Sequence, residues 1–336
     1  MFRLFDVRSL TLCLFIMHHY SIQSVAFRNI DSSSDWSLHP FLPFCPSSQL
    51  KYSIGKIGLL HLPIVLQIND NTYQLLCGSL RMATFEQQFP STTDISCLVF
   101  NKNTPTATLL LVILEEHLLS GKLTSIEKAY FYKICLRHIG INEIAKLFSP
   151  VLGEKIQNHS VNKSLQLLTL EQELQVSLYN AIIGEKIAYE LLTLNPEDRM
   201  ALHSLFSELG LGGGKQNRLL HLSRDLAYRE EKTITKLLQE EPYKAILSHS
   251  EMNHPQKIAN VLTILQKNLF PHSTSAEDDF NRKVNSLNLP SVCSIQHSQA
   301  FENDKVTMTL HFHDLHELEE KIPSIVSAIN NLVIDR

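Results

Sequence analysis

"YQLLCGSLRMATFEQQ", residues 73–88, is the stretch on which the fold turns. An extended aromatic and apolar run from Tyr73 to Cys77 breaks at Gly78 and resumes after it with helical spacing, which describes a strand-to-helix turn. Such a turn is either a ligand loop or a plain corner, and its neighbours decide between the two.

Upstream and downstream, from about Val25 to Phe100, the runs "SVAFRNID", "LPIVLQI", "TYQLLCG" and "ISCLVFN" are short, β-branched or aromatic, and bounded by Asn, Asp, Gly and Pro. Between the first two, "SSQLKYSIGKIGLL" has the spacing of a short helix that ends at a glycine. From Thr108 to about Leu238 strand signals stop. Stretches such as "LLLVILEEHLL", "SIEKAYFYKICLRHIG" and "INEIAKLF" predict helices packed on helices. "LGLGGGKQN", residues 209–217, has the glycines of a phosphate loop but puts Gln216 where Ser or Thr must follow the lysine, so it reads as a turn opening a helix pair. "PHSTSAEDD", residues 271–279, is polar and proline-bearing and reads as a linker. Beyond it, "SVCSIQHSQ", "KVTMTLHFH" and "LHELEEKIPSIVSAINNLV" give strand, strand, helix, with His311 and His313 on a solvated strand face.

The division that follows is an extension or mis-called start over 1–23, an α+β domain over 24–104, a helical domain over 105–240, helix and linker over 241–278, and a small α+β unit over 279–336. The opening residues have the outline of a signal peptide, but their apolar run is short for a membrane span and has no clear cleavage site, so the chain reads as cytoplasmic without a membrane partner. With 30 basic against 34 acidic residues there is no global basic field, and any nucleic-acid contact has to be local. The six cysteines form no Cys-x-x-Cys pair, which removes zinc-ribbon spacing and a dense disulfide framework; no dedicated metal site is expected.

In order, "SIGKIGLLHLPIV", "YQLLCGSLRMAT", "LEEHLLSGKLTSIEKA", "INEIAKLF" and "LQLLTLEQELQVSLYNAIIGEKIAYELLTL" resemble the successive landmarks of the ParB-like partition-protein family, over about Val25 to Leu194. The resemblance implies a ParB/sulfiredoxin-like N-terminal domain followed by an all-α helix-turn-helix domain. It also implies a CTP-type nucleotide site with Mg. The family's Gly-Glu-Arg-Arg turn corresponds to Gly78, Ser79, Leu80 and Arg81, keeping the first glycine and the last arginine. Glycine lets backbone approach a phosphate, and arginine supplies a bidentate fork. The family's Glu-Asn-Leu-x-Arg motif corresponds to Glu116, His117 and Ser120, with Glu116 as the catalytic position and His117 replacing the metal-associated asparagine. In sulfiredoxin a nucleophilic cysteine follows the glycine, whereas Cys77 precedes it and reads as a core thiol.

The helix-turn-helix expectation starts a first helix at "INEIAKLF", with Asn142 as N-cap, Ile144 and Leu147 inward, and Ala145 at the close-approach position. "SPVLGEKIQN" forms the connection and Ser160 to Leu168 the second helix. From Lys133 to Gln166 the local charge is +3. Lys146 and Lys163 suit phosphates, while Asn162 and Gln166 suit base edges. The function expected is a ParB-like DNA-binding protein in chromosome or plasmid partition or transcriptional regulation. Its weakened CTP site gates DNA contact, with at most weak CTP hydrolysis, and it works as a homodimer beside a partition ATPase. The alternatives are a degenerate, non-catalytic ParB-fold interaction module, or a nucleotide-dependent phosphotransferase or nuclease.

Overall fold

The computed structural model describes residues 20–32, 34–42, 46–287, 289–290, 292–298 and 305–334. The chain divides into two compact units, Met1–Asn195 and Pro196–Arg336. That division falls inside the stretch read as one helical domain over 105–240. Residues 1–19 of the expected extension lie outside the described residues, and Tyr20 already opens the first strand.

The first unit is built on strands β1 (Tyr20–Ala26), β2 (Ile30–Asp31), β3 (Ile64–Asn69), β4 (Thr72–Cys77) and β5 (Asp94–Phe100), in the order β1-β5-β3-β4-β2. Antiparallel pairs β1/β5 and β3/β4 alternate with parallel pairs β3/β5 and β2/β4, so the sheet is mixed. Alternation along β5 sends Ile95, Cys97 and Val99 to one face, and Leu98 and Phe100 to the other. The first face is covered by Met82 and Phe85 of helix α2 (Ser79–Gln88). On the opposite face lie α3 (Thr106–Leu118), α4 (Ser125–Leu136), α5 (Ile141–Leu152) and α6 (Asn158–Gln166), whose Leu110, Leu114, Phe131, Phe148 and Val161 are fully buried. Helix α1 (Ser48–Ile57) is capped by the Ser47 hydroxyl and ends at Gly58, φ +71°, where a left-handed residue is needed. Helices α7 (Gln172–Tyr179) and α8 (Glu185–Leu192) complete the unit.

Two expectations need correction here. Helix α5 starts at Ile141 with Gly140, rather than Asn142, as N-cap, and it runs through Ser149 and Pro150 to stop at Gly153, φ +67°. The connection to α6 is therefore Gly153 to Gln157, and α6 begins at Asn158, with reciprocal bonds between Gln157 and Ser160 closing its first turn. Ile144 is buried, and Leu147 and Ala145 pack against the core as expected.

The second unit holds α9 (Pro196–Glu208), α10 (Gly213–Arg229), α11 (Ile234–Gln239), α12 (Tyr243–Ser248), α13 (His254–Leu269) and α14 (Pro271–Ser286). A hairpin of β6 (Cys293–His297) and β7 (Val306–Leu310) and helix α15 (Leu315–Ile334) follow. The glycine cluster does open a helix, α10, behind Gly212. The supposed linker "PHSTSAEDD" is instead the first half of α14. Pro271 sits at its first turn, where its missing N–H costs nothing, and Lys283 sits at its last. His311 lies just past β7 and is exposed. Among the described residues no helix is long and apolar enough to cross a membrane.

Candidate functional site

The β4–α2 turn is held by Gly78 at φ +98°, ψ 19°, a left-handed conformation open to glycine. A β-carbon at that position would stand 3.3 Å from Pro63 Cα and 3.3 Å from Arg81 Nη2, so the glycine also makes room for the arginine. Ser79 and Leu80, where the family carries charge, are exposed. Arg81 turns back from the first turn of α2, and its Nη2 donates to Glu116 Oε1 on α3 at 2.7 Å, with each side chain 24% exposed. The structure thus brings together Gly78, Arg81 and Glu116, read separately from two motifs 35 positions apart. Cys77, just below, is buried. Burial chiefly, with the Glu116 charge adding and Arg81 opposing, pushes its thiol up to about 12. It carries no thiolate chemistry at neutral pH.

His117 follows Glu116 on α3. Its Nδ1–H donates to the Ile113 carbonyl at 2.7 Å, which leaves the lone pair on Nε2. Burial holds its pKa below the usual imidazole range, partly offset by the Ile113 bond. The ring lines a cavity of about 310 Å³ together with Ser120, Lys122, Thr124, Glu127 and Tyr179. Glu127 is buried and saturated: Oε1 accepts from His39 Nε2 at 2.6 Å, and Oε2 from the Thr124 amide and hydroxyl at 2.7 Å each. Burial alone would raise its pKa, but the His39 and Thr124 bonds outweigh it and the net direction is down. The His39 ring stands 5.3 Å from that of His117 and 5.2 Å from Tyr179, centroid to centroid. His39, Glu127 and Tyr179 were not anticipated from sequence. The capping-box pattern Thr124-x-x-Glu127 would have found the glutamate, whereas His39 and Tyr179 have no local signal.

The four residues expected to face DNA are all exposed, Lys146 on α5 and Asn162, Lys163 and Gln166 on one face of α6. Asn162 Nδ2 donates to Asn158 Oδ1 at 3.0 Å, and Lys163 Nζ lies 4.5 Å from the centroid of the Tyr189 ring, a cation–π contact that orients the lysine.

The Mg implied by the family fits these residues poorly. Mg²⁺ takes oxygen donors in strict octahedral geometry, yet one Glu116 oxygen is committed to Arg81 and the asparagine oxygen is replaced by an imidazole nitrogen. Among the described residues no group of three or more His, Cys, Asp or Glu is arranged to hold an ion.

The His117 shift has a consequence for stability. Unfolded, this histidine takes up a proton near 6.5, while folded it stays neutral to lower pH, so stability falls as pH drops below about 6.5. The lowered Glu127 pKa adds a second loss, which begins only below about 4.5. Urea midpoints measured between about pH 7 and pH 5 are expected to decline for the wild type and to decline less for His117→Asn. The remaining slope comes in part from His138, whose pKa burial also lowers. Parallel declines in the two proteins would contradict this.

No family model matches the chain. A stretch of 166 residues, 48% of the chain, is 28% identical to the nucleoid occlusion protein of Oceanobacillus iheyensis, a ParB family member, and covers 54% of it. The chain thus spans about half the length of the curated relative it matches. Two solved structures of the C-terminally truncated chromosome-partitioning protein ParB from Caulobacter crescentus are also similar, one complexed with CTP-gamma-S and one with the centromeric parS site. They align over 55% and 59% of this chain and 98% of each of those chains, at 16% and 17% identity and TM-scores of 0.24 and 0.31. Scores that low carry no weight, so the assignment rests on the sequence match and on the order of the landmarks. By these two criteria the chain is similar, over about half its length, to a ParB-like protein.

Proposed function

We propose that the protein is a ParB-type DNA-binding protein, acting in partition, nucleoid occlusion or transcriptional regulation, in which a CTP-type nucleotide at the Gly78–Arg81 turn gates DNA contact. The observation that carries this reading is the Arg81–Glu116 ion pair, because it ties α2 to α3, the two elements on which the nucleotide motifs fall. A phosphate reaching the turn competes with Glu116 for the guanidinium, which prefers a bidentate anion. Gly78 and the Ser79 end of α2 admit it closely. Release of Glu116 then loosens α3 from α2 and shifts the arrangement of the helices that follow, a population shift between two states. Glu116 is the residue through which any weak hydrolysis would run.

DNA contact falls to α5 and α6 as a helix-turn-helix, with Lys146 and Lys163 on phosphates and Asn162 and Gln166 on bases. Their exposure supports this. The same reading implies a cytoplasmic setting and a partition ATPase as partner. Dimerisation is assigned to the C-terminal hairpin. A two-stranded sheet is marginal by itself, and Val306, Met308 and Leu310 alternate onto one face and stay exposed.

A second reading, a non-catalytic interaction module on the same fold, is favoured by the mutual satisfaction of Arg81 and Glu116, which leaves the pair complete without a ligand. A phosphotransferase or nuclease that uses Cys77 is disfavoured by the raised pKa of that buried thiol.

Gel shifts over a salt series, with and without CTP, separate these readings. Duplex binding is expected to weaken steeply with salt, and to respond to CTP in the wild type but not in Arg81→Ala. Salt-independent or absent duplex binding removes the DNA half, and a wild type indifferent to CTP hands the site to the interaction module. For the dimer, sedimentation of Met308→Asp is expected to give a lighter species than wild type, whereas a wild type that already sediments as a monomer contradicts the assignment.

A further inference from the structure

We infer that Tyr189 of α8 is a positioning residue for DNA contact: it holds Lys163 of α6 by main chain and side chain at once, and keeps the ammonium over its ring for a backbone phosphate. The inference rests on the DNA reading above and adds α8 to the elements that prepare the α6 surface.

Two contacts to the same residue carry it. The Tyr189 hydroxyl donates to the Lys163 carbonyl at 3.3 Å, and Lys163 Nζ stands 4.5 Å from the centroid of the same ring. The first contact meets a need of the helix end. Lys163 is among the last four residues of α6, whose carbonyls lack the usual partner four residues on, and the Leu167 amide goes to the carbonyls of Ser164 and Leu165 instead. A side-chain donor from α8 therefore closes the last turn of the helix that carries Asn162, Lys163 and Gln166. Burial chiefly, with the Glu185 charge adding and a bond with the Ser164 hydroxyl opposing, pushes the phenol up to about 12, so at neutral pH it keeps the proton it donates.

The second contact fixes the lysine side chain without cancelling its charge. A carboxylate beside Lys163 would hold the ammonium and neutralise it in the same step. Among the described residues no carboxylate pairs with Lys163; the face of an aromatic ring holds the cation through its quadrupole and leaves the full positive charge in place. A free lysine side chain gives up rotamer freedom when it meets a phosphate, whereas one already laid against a ring gives up less. Lys163 is exposed, so a phosphate reaches the ammonium from the solvent side of the ring.

Fluorescence anisotropy of a labelled mixed-sequence duplex with the full chain, over KCl from about 50 to 200 mM, tests it. The wild type is expected to lose affinity linearly in log salt, and Lys163→Ala to bind more weakly with a slope shallower by about one phosphate contact. Tyr189→Leu is expected to weaken binding about two- to fivefold, and to change it little in a Lys163→Ala background. Tyr189→Phe, which keeps the ring, is expected to retain most of the affinity. Binding by Tyr189→Leu as tight as wild type or tighter, an equal loss in both backgrounds, or a Tyr189→Phe as weak as Tyr189→Leu would each overturn the inference. A readout independent of how the variants fold is the NMR signal of isotope-labelled methyl groups placed on lysine. The Lys163 signal, identified by its loss in Lys163→Ala, is expected to carry a ring-current shift in the wild type. Salt-dependent duplex binding without that shift leaves the DNA reading standing while this inference falls. A wild type with no salt-dependent duplex binding overturns both.

Discussion

The Arg81–Glu116 ion pair is the contact on which the first unit turns. It joins the helix that leaves the sheet at Gly78 to the helix that begins the helical layer, and so connects the two faces of the β-sheet through one charged contact. Partly shielded from water, the pair is screened less than a surface bridge. Removing either partner leaves the other charge in a poorly solvated place, and that is the larger cost. Gly78 is part of the same device. Its conformation and its missing β-carbon let Arg81 fold back over the turn, so the glycine, the arginine and the glutamate act as one unit.

A second clamp works beside the first. The stretch before α1 is fastened across the helical layer by His39 on Glu127, by Phe41 stacked against Tyr130 at 5.3 Å, and by Gln172 donating to the Phe41 carbonyl at 2.8 Å. Trp36 stacks on His138 at 4.8 Å in the same stretch. These contacts tie the loop between β2 and α1 to α4 and α7, and they set the wall against which His117 rests. The two clamps meet on α3, where Glu116 belongs to one and His117 borders the other. A ligand that disturbs either residue is therefore felt in both the sheet and the helices.

Much of this was legible in the sequence where one local rule governs. The strands of the first unit alternate in two-residue period, α1 stops at Gly58, and the break at Gly78 marks the strand-to-helix turn, because these signals depend on neighbours in the chain. Two helices were hidden by prolines. Pro150 sits inside α5, and Pro271 opens α14, a position that excuses its missing N–H. Residue identity alone could not tell those two cases from a break. The candidate site was half visible. Gly78, Arg81, Glu116 and His117 could be named from motif positions, but that Arg81 and Glu116 bond to each other is a tertiary fact. His39 and Tyr179 reach the cavity wall from distant segments, and no periodicity announces them.

If the ion pair holds the two helices together, Arg81 and Glu116 are energetically coupled. A double-mutant cycle on unfolding free energy, using Arg81→Ala, Glu116→Ala and the double variant in the absence of nucleotide, measures it most directly. A coupling of about 1–3 kcal/mol is expected, with the double variant less destabilised than the sum of the single ones. Additivity within about 0.5 kcal/mol would mean that the two helices are held together by something else.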